Sequence, residues 1–306
     1  MTSRLLISAP LLLAGALLTT TTAQGQGYAE GVGLSYENVP LRFTEPAAER
    51  ANFHADVYRG SIVVPRSIGT DSSQSLLFGA TAEVLRFGGP RPGLAVARVY
   101  GFSPFAGYRK RIGEGLELTA LVLPQLNSDL RGVQARDVRW GGVVRVAYRT
   151  SPRLSYRATV GYRSQFFGPQ YVLLLGLDWH PAGTWRVFGD LPTSLTVSHG
   201  LGARAAAGFT LTGLNAAYRL HAQNQYLQYQ QGHYGLFVEG YASAHWAVRA
   251  TVAYSVARRI GVFAENDQYP ATIDYIGLGQ APLPLSAALA KGPAFRLSLS
   301  YRVPQP

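Results

Sequence analysis

The residues of this chain best suited to chemistry are its arginines, which make up 26 of its 28 basic side chains. In an extended strand, side chains two positions apart point to the same face. Arginines gathered on one enclosed face raise the local anion concentration, and rings of arginine select anions in pores. We therefore predict a basic lumen that binds or passes small, anionic solutes. Eight arginines on the polar side of alternating segments are the candidates: Arg139, Arg145, Arg149, Arg157, Arg163, Arg249, Arg296 and Arg302.

Carboxylates fall on the same predicted face as these arginines. Opposite charges on facing strands form charge-assisted hydrogen bonds, so they can instead build a network that fills the lumen. A solute-binding lumen and a plugged, structural or lipid-binding barrel therefore both stay open. The acidic candidates are Glu83, Glu117, Asp178 and Glu239.

Other kinds of chemistry find little support. The chain has no Cys, which excludes disulfides, thiol catalysis and thiolate metal sites. Its six His show no metal-binding spacing, and no Gly-x-Ser-x-Gly motif occurs. Ser198 and His199 are adjacent, so a strand would point them to opposite faces. We expect no enzyme activity, cofactor, metal or nucleic-acid partner, and a membrane-embedded acyl hydrolase remains a weaker alternative.

The elements that must position these side chains are strands, because apolar and polar residues alternate along much of the chain. The alternation is clearest in Trp140–Tyr148, Leu154–Phe166, Trp246–Val256 and Phe295–Val303. Clusters of Gly, Pro, Asn, Asp and Ser separate the runs, as tight turns between antiparallel strands require. Weaker runs are Tyr28–Tyr36, Phe53–Val64, Leu76–Phe87, Val96–Arg111, Leu116–Leu126, Tyr171–Trp179, Trp185–His199, Ala205–Leu220 and Tyr234–Ser243.

A membrane barrel explains these strands better than a soluble β-sandwich. The runs span about 9–16 residues, against about five or six in soluble sheets. Lipid cannot satisfy backbone N–H and C=O groups, so a sheet that spans a bilayer must close on itself. We predict an all-β fold, a single antiparallel transmembrane β-barrel. Aromatic residues at the ends of the apolar faces fit girdles at the two lipid interfaces: Trp140, Tyr148, Tyr156, Tyr162, Tyr171, Trp179, Trp246, Tyr254 and Tyr301.

The strand number follows from chain length and the even counts of bacterial barrels: about 12, with a range of 10–14. The doubtful region is Thr184–Gly200, because Pro192 cannot donate to a β-ladder and interrupts a possible single strand. A further strand could instead lie within Arg259–Pro293. Short turns such as Gly113–Gly115 and Ser151–Arg153 are predicted to face the periplasm. The longer connections are predicted to face outward: Thr44–Asn52, Gln223–Gly232 and Asn266–Gly292.

The amino terminus has the order of a secretory signal peptide. Arg4 precedes the apolar run Ile7–Leu18, and small and polar residues follow up to Ala23. We therefore divide the chain into a signal peptide, residues 1–23, and an outer-membrane β-barrel domain, residues 24–306. Export through a signal peptide agrees with a barrel located in the cell outer membrane.

Taken whole, the mature chain resembles the uncharacterised, porin-like outer-membrane β-barrel proteins of Gram-negative bacteria. The resemblance rests on the signal peptide, on Leu121–Leu130 (LVLPQLNSDL), on Asp178–Pro192 (DWHPAGTWRVFGDLP) and on the final alternating strand. It implies contact with outer-membrane lipid, lipopolysaccharide and the barrel-assembly machinery. Such barrels usually end on an aromatic residue that the assembly machinery recognises, whereas this chain ends Tyr301-Arg302-Val303-Pro304-Gln305-Pro306.

The signal peptide gives the first test. Protein purified from the envelope of an expressing Gram-negative host should have lost residues 1–23, so that its intact mass corresponds to a chain beginning at Gln24. Ala23→Arg should block this processing, because signal peptidases need a small residue at that position. An envelope protein that retains Met1 and the apolar run would contradict the assignment.

Overall fold

The computed structural model describes residues 28–42, 44, 53–69, 73–89, 94–285 and 289–304, so the predicted signal peptide lies outside the described residues. Within these ranges no helix is long and apolar enough to cross a membrane. The first strands are β1 (Tyr28–Leu41), β2 (Phe53–Ser67), β3 (Gln74–Gly88), β4 (Arg98–Ile112), β5 (Leu116–Val122), β6 (Gln125–Ser128), β7 (Val138–Arg139), β8 (Gly141–Ser151) and β9 (Leu154–Gln165). The others are β10 (Gly168–Trp179), β11 (Trp185–Leu191), β12 (Ser194–Gly200), β13 (Ala205–Leu220), β14 (Gln225–Tyr241), β15 (Trp246–Ala264), β16 (Ala271–Ile273), β17 (Ile276–Leu278) and β18 (Gly292–Pro304).

The strands close into an antiparallel barrel, which confirms the predicted fold. Each wall strand pairs with the next in sequence, β15 pairs with β18, and β18 pairs with β1 to complete the ring. Two wall positions are each built from two segments. β5 and β6 are separated by Leu123 and Pro124, and β7 and β8 by Trp140. β16 and β17 form a small hairpin in the last loop, and β16 adds to β10 in parallel.

The described residues form 14 wall positions, the upper limit of the predicted range of 10–14, so the central value of about 12 was wrong. The run Trp185–His199 is two strands, β11 and β12, which pair with each other around Pro192 and Thr193. Pro192 ends the first strand because it has no N–H for a ladder bond. The suggested further strand within Arg259–Pro293 is not a wall strand, since β15 continues to Ala264 and the rest of that segment is loop and the β16–β17 hairpin.

The two ends of the barrel differ in their connections. One end, which we call the short-turn end, carries tight turns such as Gly113–Gly115. The first residue of β1, Tyr28, and the last residue of β18, Pro304, also lie at this end. The opposite end, the long-loop end, carries the β6–β7 and β15–β18 connections. Contrary to our prediction, Gln223–Gly232 is not a long connection. β14 begins at Gln225, and only the turn His221–Gln223 and Asn224 join it to β13. Which end faces the periplasm stays a prediction.

The outer face of the barrel is apolar and ringed by aromatic residues. Eight of the nine predicted girdle residues are exposed there, and Tyr301 is half-buried against the ring of Trp246, 5.0 Å away. Trp246 and Tyr254 are eight residues apart, or about 26 Å along a strand, and tilt shortens this to about 20 Å along the barrel axis. Tyr148, Tyr156, Trp179, Trp246 and Tyr301 lie towards the short-turn end; Trp140, Tyr162, Tyr171 and Tyr254 lie towards the long-loop end. Their role as girdles stays a prediction.

The short strands β11 and β12 shape the interior. Each has seven residues, whereas β13 has 16 and β14 has 17. β12 leaves β13 at the pair Ser194–Thr212, so residues 213–220 have no β12 partner on that side. These residues cross the lumen with β14 instead, and Arg219 pairs with Ser128 of β6, six wall positions away. We call residues 213–232 the crossing hairpin.

A buried charge cluster holds the tip of the β11–β12 hairpin. Asp190 is fully buried and accepts hydrogen bonds from Arg145 Nη2 and Arg157 Nε, each at 3.1 Å. Arg157 also donates to the carbonyl oxygen of Gly189 at 3.0 Å. One carboxylate thus links β8, β9 and β11, and fixes the position at which the wall becomes short.

The Asp190 cluster gives the second test. Asp190→Asn leaves Arg145 and Arg157 buried without a counter-charge, which should lower the free energy of unfolding by about 3–5 kcal/mol. Denaturant unfolding of the folded protein in detergent, followed by tryptophan fluorescence, measures this loss. Glu114→Gln, in an exposed turn, is the control and should change nothing. Equal stability of Asp190→Asn and the unmodified protein would contradict the role of the cluster.

Candidate functional site

A large chamber occupies the half of the lumen next to the short-turn end. Its volume is about 1270 Å³, and turn residues such as Gly183, Gly202 and Ser243 line its mouth. Its walls come from β1–β4, β6, β11–β15 and β18. Small and hydroxyl side chains make up much of the lining, including Ser35, Ser61, Thr81, Ser103, Thr196, Ser198, Thr210, Thr212, Thr251, Ser298 and Ser300. Such a surface is polar, wettable and wide enough for a small organic solute.

Basic side chains outnumber acidic ones in the chamber lining. Six arginines and three glutamates line it, so the lining carries a net positive charge. Low-dielectric walls focus such a field and raise the local concentration of anions. The arginines are Arg59, Arg186, Arg204, Arg249, Arg296 and Arg302; the glutamates are Glu30, Glu83 and Glu239.

One carboxylate near the chamber mouth is shared by two arginines. Arg302 Nη2 lies 2.7 Å from Glu239 Oε1, and Arg249 Nη2 lies 2.7 Å from Glu239 Oε2. The Arg249 guanidinium also stacks over the Phe237 ring, 4.2 Å from its centroid. Both arginines remain partly exposed to the chamber. Glu30, which also lines the chamber, interacts electrostatically with both arginines, so two arginines and two glutamates form one charged group where a solute enters.

A second network forms the inner end of the chamber and ties the crossing hairpin to the wall. Glu37 is buried and lies 2.6 Å from Arg296 Nη2, while Gln231 of β14 donates to it at 2.7 Å. Arg59 bridges Glu37 and Glu83, and the Tyr218 hydroxyl of β13 donates to Glu83. The crossing hairpin is thereby hydrogen-bonded to a network of charged side chains from β1, β2, β3 and β18.

Beyond this network an apolar layer fills the lumen on the β1–β4 side. Side chains of the crossing hairpin pack there against the inner faces of β1–β4, with no charged member in the layer. The layer separates the chamber from the long-loop end. Its main members are Val39, Leu41, Phe53, Val57, Leu85, Phe87, Val99, Leu214, Tyr218, Leu220, Leu227 and Tyr229.

His221 pins the tip of the crossing hairpin at the long-loop end. Its Nε2 lies 2.8 Å from Asp137 Oδ2 and its Nδ1 lies 3.1 Å from Asp129 Oδ1. Both carboxylates belong to the β6–β7 connection, on the far side of the lumen. Arg219 adds an ion pair to Glu265, 2.8 Å away. Because β12 does not reach this part of β13, the short pairing with β6 and these side-chain contacts keep the hairpin across the lumen.

The same region contains a Ser–His–Asp grouping that is not arranged for catalysis. Ser128 Oγ lies 3.4 Å from His221 Nδ1, but Ser128 is fully buried and its Oγ accepts the backbone N–H of Leu130 at 2.9 Å. Asp129 approaches the same imidazole nitrogen more closely. A substrate carbonyl has no access to this hydroxyl, so the grouping fits a structural pin better than an acyl hydrolase site.

The predicted lumen residues divide between the chamber and the filled half of the barrel. Arg249, Arg296, Arg302, Glu83 and Glu239 line the chamber. The other candidates lie outside the chamber. Arg145 and Arg157 pair with Asp190, Arg139 and Arg163 lie beside β6, and Arg149 is exposed at the short-turn end. Of the carboxylates, Glu117 is 3.6 Å from Arg111 and Asp178 is 2.6 Å from Arg186. Their functional role stays a prediction.

Sequence reasoning missed several residues of the site. Arg59 lies in a run whose alternation is weak, and Arg186 and Asp190 lie in the run that Pro192 made doubtful. Glu37 lies one position beyond the end assigned to the first strand. The even spacing between Glu37, Ser35 and Gly33 was the available signal, because a longer strand would have placed Glu37 on the inner face.

The pin at the long-loop end gives the third test. His221→Ala removes both carboxylate contacts, so the crossing hairpin should leave its position more often and the barrel should open at that end. Single-channel recording in a planar bilayer should then show more frequent or larger openings than in the unmodified protein. His199→Ala is the matched control, since His199 contacts Thr184 at the other end and should leave the openings unchanged. Indistinguishable traces from His221→Ala and the unmodified protein would contradict the pin.

Comparison with known proteins adds solved structures but no family. No protein-family model matches the chain, and no curated protein matches it. An outer membrane channel from Pseudomonas putida F1 is 9% identical over 99% of this chain and 100% of that one, with a TM-score of 0.46. A mutant of the TodX monoaromatic hydrocarbon channel is 12% identical over 97% and 96%, also with a TM-score of 0.46. The KdgM porin is 9% identical over 88% and 98%, with a TM-score of 0.34.

Proposed function

We propose that this chain is an outer-membrane β-barrel that admits small anionic solutes into its chamber and passes them across the membrane. The proposal rests on the chamber, which is open at one end and is lined by six arginines and three glutamates. Arg249, Arg296 and Arg302 are its central binding groups. The proposal assigns no catalytic step, cofactor or metal to the barrel.

The outer surface supports the membrane location. Large apolar side chains are exposed on most wall strands, for example Leu175 and Leu236, each about two-thirds exposed. Water would strongly disfavour such a continuous apolar surface, whereas acyl chains accept it. Lipid and, at the rims, lipopolysaccharide phosphates are the proposed surroundings, and the barrel-assembly machinery is the proposed route of insertion.

Passage requires the crossing hairpin to move, because apolar packing fills the lumen on its β1–β4 side and again where it meets the β9–β10 turn. On that side the hairpin is bound to the wall by the apolar packing of this layer and by hydrogen bonds to Glu37 and Glu83. A barrier built from the crossing hairpin and the paired residues 257–264 of β15 is compatible with a channel that opens intermittently.

The same apolar layer favours a second candidate function, a plugged barrel that serves a structural or envelope-binding role. The two candidates differ in conductance. Purified, folded protein inserted in a planar bilayer should carry ion current if the barrel is a channel. If well-inserted protein carries no current across a wide range of voltages, the channel proposal fails and the plugged barrel takes its place.

Ion selectivity is the fourth test. Under a salt gradient the reversal potential should favour the anion over the cation, since the arginines exceed the glutamates in the lining. Arg296→Gln and Arg249→Gln should each lower the anion-to-cation permeability ratio by at least about twofold, because each removes a fixed charge from the chamber. Arg66→Gln is the control, as Arg66 is exposed and faces away from the lumen. A reversal potential that favours cations would show that the carboxylates govern the lumen.

A further inference from the structure

The outer face of the barrel carries an apolar groove that crosses β3, β4, β5, β8 and β9. Its volume is about 750 Å³, and none of the described residues that line it is charged. One row of paired residues follows its length, from Phe78 through Ala106, Val122 and Gly142 to Tyr162. Neighbouring strands lie about 4.8 Å apart, so this row is roughly 19 Å long. That length is close to the reach of one acyl chain, which spans half of a hydrocarbon core of about 30 Å.

The groove runs obliquely, from a point near the short-turn end towards the long-loop end. Phe78 lies four residues from the start of β3 at Gln74, whereas Tyr162 lies eight residues from the start of β9 at Leu154. Both strands start at the short-turn end, and the tilt of strands in a membrane barrel explains the slope. A lipid lying along the groove therefore has its head group beside β3 and the end of its acyl chain beside β9.

Two basic side chains lie on the same outer face where the groove begins. Arg66 is opposite Leu76, a lining residue, in the β2–β3 pair, and Lys110 is two positions beyond Tyr108, another lining residue, on β4. Both are exposed, and neither forms an ion pair with a described carboxylate. They come one and two residues before the ends of β2 and β4, which places them at the level of the lipid head groups.

A polar pair lies between these two cations. The Tyr108 hydroxyl donates to Gln74 Oε1 at 2.6 Å, and Gln74 is opposite Lys110 in the β3–β4 pair. The amide nitrogen of Gln74 keeps its hydrogens for another acceptor. Guanidinium, ammonium and amide donors are the groups that bind phosphate oxygens. Phosphate donors at the rim therefore adjoin a groove that suits a chain of methylene groups.

We propose that this groove binds one anionic glycerophospholipid of the membrane, with its phosphate on Arg66 and Lys110 and one acyl chain along the groove to Tyr162. An anionic head group is favoured because a zwitterionic one brings its own positive charge towards the two basic side chains. The site rests on the membrane location proposed above, but it requires no ion current. Arg66 faces away from the lumen, so lipid binding and ion selectivity are separate properties of the barrel.

Native mass spectrometry of delipidated protein, released from a non-ionic detergent, tests the head-group half of the site. One phosphatidylglycerol should bind at least about tenfold more tightly than phosphatidylcholine with the same acyl chains. Arg66→Gln combined with Lys110→Gln should remove this preference. Arg131→Gln combined with Arg136→Gln, which changes two exposed arginines of the β6–β7 connection, should retain it. Equal affinity of the unmodified protein for the two lipids, or a preference that persists without Arg66 and Lys110, would overturn the proposal.

Filling the groove tests the acyl-chain half in the same assay. Ala120→Phe places a ring in the groove and should weaken phosphatidylglycerol binding at least about fivefold, because the acyl chain loses apolar contact. Ala250→Phe adds the same ring to the outer face of β15, away from the groove, and should leave binding unchanged. Undiminished binding by Ala120→Phe would overturn the site. A two-chain mass that Ala120→Phe abolishes and Ala250→Phe retains would also overturn it, since a second copy would then occupy the groove.

The membrane location fails in a different way from the lipid site. Protein that stays soluble and monomeric in water without detergent would contradict the location itself. Protein that needs detergent but binds the two lipids equally would contradict the lipid site alone.

Discussion

The structure depends on one constraint: within a bilayer, every backbone N–H and C=O group must find a partner in the protein. Fourteen strand positions meet it by closing, with β18 paired to β1. Where the ring falls short, the chain compensates. β11 and β12 are only seven residues long, and the unpaired part of β13 does not stay in the wall but turns into the lumen. The loop strand β16 supplies partners for β10 on the other side of the gap.

The charged interior follows from that inward turn. A hairpin placed across the lumen brings its own side chains against those of the inner wall. The two sets must complement each other, apolar against apolar and charge against opposite charge. On the β1–β4 side the match is apolar, with Glu37 and Glu83 at its edge. On the β6–β10 side it is mixed: His221 contacts Asp129 and Asp137, while Ala217 and Tyr226 pack with Phe166 and Phe167. The space left towards the short-turn end is the chamber, whose arginines are partly satisfied by glutamates and keep a net charge that suits anions.

The sequence predicted the barrel architecture better than it predicted the residues of the candidate site. Alternation fixes which face each residue occupies, so the barrel and the inward positions of Arg249, Arg296 and Glu239 could be predicted. It does not reveal where along the axis a residue lies or what stands opposite it. Arg145 and Arg157 lie on the polar face of alternating strands, as Arg249 does. They nevertheless pair with Asp190, which is more than 30 residues from either arginine in the sequence. The crossing hairpin was also hidden, because Leu214 and Leu220 alternate like any wall residues and only the shortness of β12 turns them inward. Pro192 marked the position at which β11 ends and β12 begins. A single interrupted strand and a hairpin of two short strands show the same alternation in sequence, so the two could not be told apart.

The central claim is that the apolar outer face of this barrel meets acyl chains, and the four tryptophans test it most directly. Trp140, Trp179, Trp185 and Trp246 are all exposed on the outside of the barrel. Protein reconstituted in vesicles whose lipids carry bromine on their acyl chains should lose most of its tryptophan emission by contact quenching, while acrylamide in the water phase should quench it weakly. Emission that is insensitive to brominated lipid and strongly quenched by acrylamide would contradict the account.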